Sequence, residues 1–282
     1  ACLYDENFRG SSIWRFFWRW KWSALYLHPI FQCDGEPMFR GWMSLSSLSS
    51  LALLDETRIE EFEALTGKVC VRMPDTAHRG SVKSVLSGRI EMLKGDRFAV
   101  VLNGFLHPQK GVVEFLDLVD RLDRSKYFFV LVGEIHLPDY DSVDQDRLLR
   151  FSQEVENGFA YFHRVIEEDV LNGVIESCDL VLAAYRDWKF SSNAVGKAAT
   201  FRKPIIVTVG ELMAHRVERF RLGVTVHQGD VDAMVTAIEQ WRERSEEPVV
   251  SSHRDGYLRE HSVAAFNESV AALLNTREDK NR

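Results

Sequence analysis

Apolar runs and helical patterns alternate along the chain from residue 96 onward. Short apolar runs predict strands that are buried on both faces, at residues 98–102, 127–132, 158–162, 180–183, 205–208 and 223–226. Apolar residues at helical spacing predict the helices between them, at residues 112–122, 144–156, 168–177, 193–201 and 212–220. Two more helices are predicted at residues 231–242, with Asp230 as N-cap, and 256–274. Strands that alternate with helices indicate βαβ units, so we predict an α/β fold with a doubly wound parallel sheet.

The first 95 residues carry a shorter and less regular pattern. It predicts strands at residues 24–27, 51–54 and 68–72, a loop at residues 32–50, and a linker holding a short helix at residues 76–96. Asp55 is predicted to cap a helix at residues 58–65, although a carboxylate at a strand end also suits an acceptor hydroxyl. The predicted domains are a partial α/β region at 1–95, the doubly wound domain at 96–260, and a C-terminal helix and tail at 261–282.

The segment SSIWRFFWRWKW at residues 11–22 combines tryptophans and arginines. As a helix it would place Trp14, Trp18 and Trp22 on one face and Arg15 and Arg19 on another. Such a helix suits a membrane interface, where rings lie among headgroups and cations meet anionic lipid. It equally suits an inter-domain contact or a cover for a sheet, and stacking on single-stranded nucleic acid or sugar is a further alternative.

Composition narrows the class of protein. The 282 residues are 45% hydrophobic and 27% charged, which is typical of a globular protein, and the net charge of −7 argues against broad nucleic-acid binding. No apolar run approaches the roughly 20 residues of a membrane span. Four widely spaced cysteines predict a reduced, cytoplasmic protein, with peripheral contact at the inner face of a membrane as the alternative that the tryptophans offer. Because the chain begins at Ala1 without a signal pattern, we expect a processed chain or a fragment.

Candidate chemistry lies in the loops that follow the predicted strands, because open α/β sheets bind ligands at the carboxyl ends of their strands. Gly104 and Lys110 follow the first strand of the regular half, before a helix that opens at Gly111 with free N–H groups suited to phosphate. Gly133 follows the next strand and permits close approach of the backbone to a ligand. A solvated lysine in an ordinary turn is the alternative interpretation of Lys110.

A third loop, KFSSNAVGK at residues 189–197, follows the fourth strand of the regular half. Ser191 or Ser192 can cap the helix that begins at Asn193, which leaves other N–H groups directed outward. Lys197 lies early in this helix, where a cation opposes the helix dipole unless an anion is bound nearby. It too has the alternative of a solvated lysine. The sequence contains no His/Cys cluster for zinc, no GxSxG element and no P-loop.

Four segments, taken in order, make residues 96–245 resemble the C-terminal, donor-binding domain of group 1-like GT-B fold glycosyltransferases: NGFLHPQKGVVEFL, FFVLVGE, YFHRVIEEDVLNGVIESCDLVLAAY and KAATFRKPIIVT. The resemblance implies a hexosyltransferase-like enzyme of polysaccharide biosynthesis. Its donor would be UDP- or GDP-linked, its acceptor a glycan, lipid or small molecule, and it would need no other cofactor and no metal. It implies that Lys110 contacts the donor diphosphate, that the backbone near Arg164 and Val165 holds the nucleobase, and that the loop from Ser191 faces the phosphates and sugar.

The sequence departs from the family pattern at three positions. Lys189 and Lys197 occupy the positions of two glutamates found in many retaining members, and Phe105 replaces an arginine beside the first glycine. The carboxylate that would grip the donor ribose is therefore missing, and Lys197 is predicted to contact phosphate instead. The family's N-terminal domain needs more chain than residues 1–95, so we expect a truncated or reduced one. No catalytic residue is assigned, and a nucleotide-sugar epimerase and a non-catalytic binding or scaffold subunit are the alternatives.

Overall fold

The structure is a computed structural model that describes residues 2–3, 21–27, 41–82, 85–151, 158–163, 167–244 and 251–275. The chain forms two compact units, one of Ala1–Thr76 together with Arg259–Arg282 and one of Ala77–Leu258. The boundary therefore lies about twenty residues earlier than the predicted one. The C-terminal helix belongs to the first unit.

The first unit contains a four-stranded parallel sheet whose strands lie side by side in chain order. They are β1 (Cys2–Leu3), β2 (Trp22–Tyr26), β3 (Leu48–Leu53) and β4 (Val69–Arg72). Helix α1 (Ile59–Thr66) connects β3 to β4 after one 3-10 turn. Asp55 caps that turn, since its side chain accepts a hydrogen bond of 3.0 Å from the Thr57 N–H. Asp55 therefore caps the turn that leads into the helix and not α1 itself, whose N-cap position is held by Arg58 without a side-chain capping hydrogen bond.

Trp22 lies in β2 and is buried, with 7% of its surface exposed. Its Nε1 donates to Ser47 Oγ at 3.0 Å, and its ring centroid lies 6.3 Å from that of Trp42. For Trp22, the predicted helix and the alternative of membrane contact are wrong, because the residue lies in a strand and its ring is part of the core of the first unit. Trp14 and Trp18 lie outside the described residues. No helix within the described ranges has the length and apolarity needed to cross a membrane.

The second unit contains a six-stranded parallel sheet with helices on both faces. Its strands are β5 (Phe98–Asn103), β6 (Tyr127–Val132), β7 (Phe159–Phe162), β8 (Leu180–Ala183), β9 (Ile205–Thr208) and β10 (Gly223–Val226). Its helices are α2 (Val85–Lys94), α3 (Val112–Arg121), α4 (Ser142–Phe151), α5 (Glu168–Ser177), α6 (Asn193–Thr200), α7 (Leu212–Arg219) and α8 (Val231–Glu243). The strand order is β10-β9-β8-β5-β6-β7. The predicted doubly wound α/β fold is confirmed.

Helix α2 explains why the second unit begins before residue 96. Leu86 and Ile90 of α2 are buried in the same cluster as Val174 and Ile175 of α5. The segment predicted to be a linker therefore contributes a helix that covers one face of the sheet. The apolar face of α2 holds few residues, which is why its sequence does not reveal this role.

Two helices replace the single C-terminal helix predicted at residues 256–274: α9 (Ser251–Glu260) and α10 (Val263–Asn275). The break lies at His261, which is fully buried. Its Nδ1 donates to the Asp75 carbonyl at 3.0 Å and its Nε2 accepts from Arg72 Nη2 at 2.9 Å, since a carbonyl only accepts and a guanidinium only donates. Helix α10 reaches the sheet of the first unit through its Leu273 carbonyl.

That carbonyl accepts hydrogen bonds from two serines on neighbouring strands. Ser23 Oγ of β2 lies 3.2 Å from the Leu273 oxygen, and Ser50 Oγ of β3 lies 3.0 Å from it. The two hydroxyls are also 2.8 Å from each other. All three groups are buried, so these hydrogen bonds satisfy polar groups that would otherwise be unfavourable inside the protein. They connect β2 and β3 to α10, which lies more than 200 residues later in the sequence.

Glycine is required where the loops after β5 and β6 meet. Gly133 has φ +144°, and a Cβ atom there would lie 1.8 Å from the Gly104 carbonyl oxygen. Beyond it, Leu106 N–H donates to the Glu134 carbonyl at 2.9 Å. The structure thus accounts for glycine at position 133 by the approach of the Gly104 backbone, whereas the predicted approach of a ligand to Gly133 stays a prediction.

Replacement of Gly133 tests this packing. We expect Gly133→Ala to lower the free energy of unfolding by about 3–5 kcal/mol, because the methyl group meets backbone rather than a movable side chain. Gly88→Ala is the matched control: it lies inside α2 with no atom within 4 Å of a Cβ. It should gain about 0.5–1 kcal/mol from helix propensity. Guanidinium denaturation measures both, and equal stabilities would contradict the close approach.

Candidate functional site

The candidate site lies where the winding of the second sheet reverses. Strands β5 and β8 are neighbours, and β6 and β7 lie on one side of them while β9 and β10 lie on the other. Ligands of doubly wound sheets bind at such a point, outside the carboxyl ends of the strands. The loops at this point are residues 104–111 after β5 and residues 184–192 after β8.

The loop after β5 is compact. Its residues Pro108–Lys110 form one 3-10 turn, which His107 caps by accepting from the Gln109 N–H at 3.4 Å. Gly111 follows with φ +74° and leads into α3. A Cβ on Gly111 would lie 2.7 Å from the Ala184 carbonyl oxygen, so glycine also allows the two loops to approach. Lys110 therefore ends a fixed turn beside the loop after β8.

The Lys110 ammonium lies against two aromatic rings of the loop after β8. Its Nζ is 3.9 Å from the ring centroid of Tyr185 and 4.2 Å from that of Trp188. Burial lowers the pKa of Lys110 to about 8. No carboxylate among the described residues forms an ion pair with it. The interpretation of Lys110 as a fully solvated lysine is wrong, because the residue is half-buried and its amine lies against two rings.

The start of α6 lies beside this pair of rings. Ser192 caps the helix by accepting from the Ala194 N–H at 3.3 Å, which confirms one of the two predicted caps. Ser191 Oγ accepts from the buried Arg216 of α7 at 2.6 Å, and the Ser191 carbonyl accepts from Trp188 Nε1 at 3.3 Å. Asn193, the first residue of α6, is exposed. The structure thus brings Lys110 and the Ser191–Asn193 turn together through Trp188.

Three contacts fix the loop after β8 to its neighbours. The Arg186 N–H donates to the Gln109 carbonyl, and the Asp187 N–H donates to Gln228 Oε1, both at 2.8 Å. The Arg186 guanidinium pairs with Glu114, a carboxylate in the first turn of α3 that is only 1% exposed. Sequence reasoning missed Glu114, since an acidic residue in the first turn of a helix is ordinary and its burial leaves no sequence signal.

Lys197 has an anion of its own inside the protein. Its Nζ lies 2.6 Å from Glu168 Oε1 and 2.6 Å from Asn172 Oδ1, and the residue is 7% exposed. The hydrogen bond and charge of Lys197 lower the pKa of Glu168. The interpretation of Lys197 as a solvated lysine is therefore wrong. The anion that the helix dipole argument requires is Glu168, at the start of α5.

The other predicted site residues are distributed around the same edge of the sheet. Gly104 and Gly133 form the close approach described above, and Lys189 lies between Trp188 and the start of α6. Arg164 and Val165 lie outside the described residues. Among the residues that the structure describes, no three His, Cys, Asp or Glu side chains are grouped to hold a metal ion.

A cavity of about 390 Å³ opens at this edge near the ends of β6 and β7. The described residues of its lining are mainly apolar: Ile135, Leu137, Leu148, Leu149, Tyr161 and His163. The Tyr161 hydroxyl is hydrogen-bonded to His163 Nδ1, and burial raises the pKa of Tyr161 to about 12. The phenol therefore keeps its proton at neutral pH, so the cavity combines apolar walls with a small polar group.

Solved structures with a similar fold are GT-B glycosyltransferases. HepE from Anabaena in complex with UDP has a TM-score of 0.68 at 16% identity, over 90% of this chain and 72% of its own. The α,α-trehalose 6-phosphate synthase from Burkholderia multivorans has a TM-score of 0.69 at 12% identity, over 92% and 67%. WaaG, a glycosyltransferase of lipopolysaccharide biosynthesis, has a TM-score of 0.61 at 13% identity, over 89% and 73%. At these identities the likeness establishes the fold.

The family follows from the sequence itself. The family described as Glycosyl transferases group 1 matches residues 97–244, which is more than half of the 282 residues. The matched residues include β5 to β10 and both loops of the candidate site. The sequence matches none of the curated proteins with which it was compared. The resemblance that the four sequence segments indicate is thus confirmed, and the chain belongs to the group 1 glycosyl transferases.

Proposed function

We propose that this chain binds a UDP- or GDP-linked sugar and transfers the sugar to an acceptor hydroxyl. The observation that carries the proposal is Lys110, a partly buried ammonium at the reversal point of the sheet with no ion pair to a described carboxylate. A dehydrated cation without an anion is unfavourable, so a site of this kind gains from binding a negatively charged ligand. HepE, whose fold is similar, has been solved in complex with UDP and with UDP-glucose, which supports this class of ligand.

A diphosphate suits the site better than a single phosphate. Lys110 supplies a charge from the loop after β5, and the turn at Ser191–Asn193 supplies the amino end of α6 from the loop after β8. Trp188 connects these two groups, since it contacts the Lys110 ammonium and donates to the Ser191 carbonyl. Donors from two loops at one crevice can hold two neighbouring phosphate groups.

The cavity near β6 and β7 is a suitable place for the nucleobase. Neighbouring strands lie about 4.8 Å apart, so the cavity is about 10 Å, or two strand spacings, from the junction of β5 and β8. That separation fits the distance between the phosphates and the base of an extended nucleotide. The cavity of about 390 Å³ is within the usual size of ligand pockets. Arg164 and Val165, which follow the cavity residue His163, remain the proposed backbone contacts for the base.

The reaction breaks the bond between the sugar and the diphosphate and forms one between the sugar and the acceptor oxygen. The acceptor hydroxyl loses its proton, and the diphosphate gains negative charge as it leaves. We expect Lys110 and the amino end of α6 to stabilise that charge, which would be electrostatic catalysis by groups that are already oriented.

A second candidate function is donor binding without transfer, as in a scaffold subunit. It is favoured by Lys197, which occupies the position where the resemblance places a ribose-binding glutamate and which already pairs with Glu168. Both candidates require nucleotide binding, but only the transferase releases nucleoside diphosphate from a nucleotide sugar. An epimerase would instead release the free, altered sugar.

Thermal unfolding with nucleoside diphosphates tests the donor site. UDP or GDP at 100 times its Kd should stabilise the native state by about 2.7 kcal/mol and raise the Tm accordingly. Lys110→Met should weaken binding about 10- to 150-fold, the range for a hydrogen bond to a charged group. Lys126→Met is the matched control, because Lys126 lies just before β6, at the opposite edge of the sheet, and its side chain is 57% exposed. If neither nucleotide raises the Tm of the parent at millimolar concentration, the donor proposal is overturned.

Lys197→Met separates a structural lysine from a phosphate ligand. We expect a loss of about 1–3 kcal/mol in stability, because Asn172 Oδ1 would remain buried without its donor. Nucleotide affinity should stay within about threefold of the parent. Lys197 also lowers the pKa of Glu168, so the pair of these two residues stabilises the folded protein above pH 4.5, the ordinary pKa of the carboxyl group. This contribution is lost as the pH falls through the lowered pKa. Urea denaturation at neutral pH and below pH 4 measures the difference in unfolding free energy between the parent and the variant. If the variant loses nucleotide affinity strongly but keeps its stability, Lys197 is a phosphate ligand and the structural role is wrong.

A further inference from the structure

Two aromatic rings surround the one lysine on which the donor site depends. The centroid distances of 3.9 and 4.2 Å place the Lys110 ammonium within cation–π range of both Tyr185 and Trp188. The two rings are 5.8 Å apart at 83°, so they form two walls of a corner. Lys110 belongs to the loop after β5, whereas both rings belong to the loop after β8. The rings therefore hold the lysine side chain and also connect the two loops.

The corner is itself held in place by the protein. Tyr185 is buried, and burial raises its pKa, so the ring stays uncharged. The Trp188 indole donates to the Ser191 carbonyl. The contacts of Arg186 with Gln109 and Glu114 fix the backbone between the two rings. An aromatic side chain that is fixed at both its ring and its backbone can define the position of a flexible lysine.

We propose that Tyr185 and Trp188 are positioning residues, which hold the Lys110 ammonium at the crevice so that it meets the diphosphate of the donor without first being neutralised by a carboxylate. This inference rests on the proposed donor site. The rings act through Lys110 and have no part in the reaction themselves. Ring faces attract a cation but carry no net charge, so an incoming phosphate competes with no anion for the ammonium.

The same arrangement links nucleotide binding to protonation. Burial holds the pKa of Lys110 at about 8 in the empty site, and an anion beside the ammonium raises it. Nucleotide affinity should therefore fall as the pH rises above about 8, by up to tenfold per pH unit, until the pKa of the occupied site is reached. Among the described residues, the side chains recorded against the Lys110 ammonium are Tyr185, which stays neutral, and Trp188, which does not titrate. The charged groups of the adjoining loop and helix, Arg186 and Glu114, are paired with each other, so we expect the lysine to be the titrating group.

A double-mutant cycle tests the positioning role. Trp188→Leu should weaken binding of UDP or GDP about 5- to 30-fold, the range for a desolvated cation–π contact. Trp188→Phe keeps a ring face and should recover most of this loss. Trp188→Leu and Trp188→Phe both lose the indole N–H that donates to Ser191, so the difference between them isolates the ring face. In a Lys110→Met background, the two variants should bind nucleotide within about twofold of each other, because the ring face acts through the lysine. An equal difference between them in both backgrounds would show that the ring supports the loop in general, and would overturn the proposal.

Lysine NMR of the ligand-free protein distinguishes this proposal from the donor site. With 13C-labelled lysine, one side chain, assigned by its disappearance in Lys110→Met, should show upfield-shifted Hε signals and titrate near pH 8. Trp188→Leu should reduce the upfield shift. If these signals are absent while nucleotides bind, the positioning role fails and the donor site stands. If the signals are present but no nucleotide binds, the donor proposal fails, and the positioning proposal that rests on it fails too.

Discussion

Parallel pairing of the described strands is the constraint on which the position of the site depends. It brings every carboxyl end of the second sheet to one edge, so loops that are far apart in sequence meet there. Such convergence requires backbone to approach backbone, and Gly133 and Gly111 are the residues that permit it. With side chains at these positions, the loops after β5, β6 and β8 would be held apart, and Lys110 would not reach the rings of Tyr185 and Trp188.

Two lysines of the second unit, one buried and one half-buried, have different electrostatic surroundings. Lys197 is neutralised within the fold by Glu168 and by the amide oxygen of Asn172, as a structural charge usually is. Lys110 lies against ring faces and forms no ion pair with a carboxylate in the described part of the chain, and its burial lowers its pKa. A fold that can pair one lysine completely leaves the other one unpaired at its ligand-binding edge. Unfavourable charges of this kind are concentrated at functional sites, because a ligand completes them.

The sequence predicts the sheet of the second unit almost residue for residue, because continuous apolar runs between turns have few alternative interpretations. It fails where one pattern suits two structures: Trp22 lies in an aromatic run without a clear period and proves to be a buried strand residue. The break at His261 was missed because it depends on hydrogen bonds to Asp75 and Arg72, far away in sequence. Partners such as Glu168 for Lys197 are set by the fold, so the lysines could be found from sequence but their surroundings could not.

Hydrogen bonds between distant parts of the sequence in the first unit affect the order in which the chain folds. Its sheet comes from the start of the sequence, yet Ser23 and Ser50 bond to a carbonyl of α10, and Arg72 bonds to His261. During synthesis, the ribosome must therefore release the whole second unit before the first unit can satisfy these buried polar groups. The second unit is continuous in sequence and can fold as soon as it emerges. We therefore expect the sheet of β1 to β4 to complete its hydrogen bonds only after α10 has been synthesised, although its strands are made before the second unit.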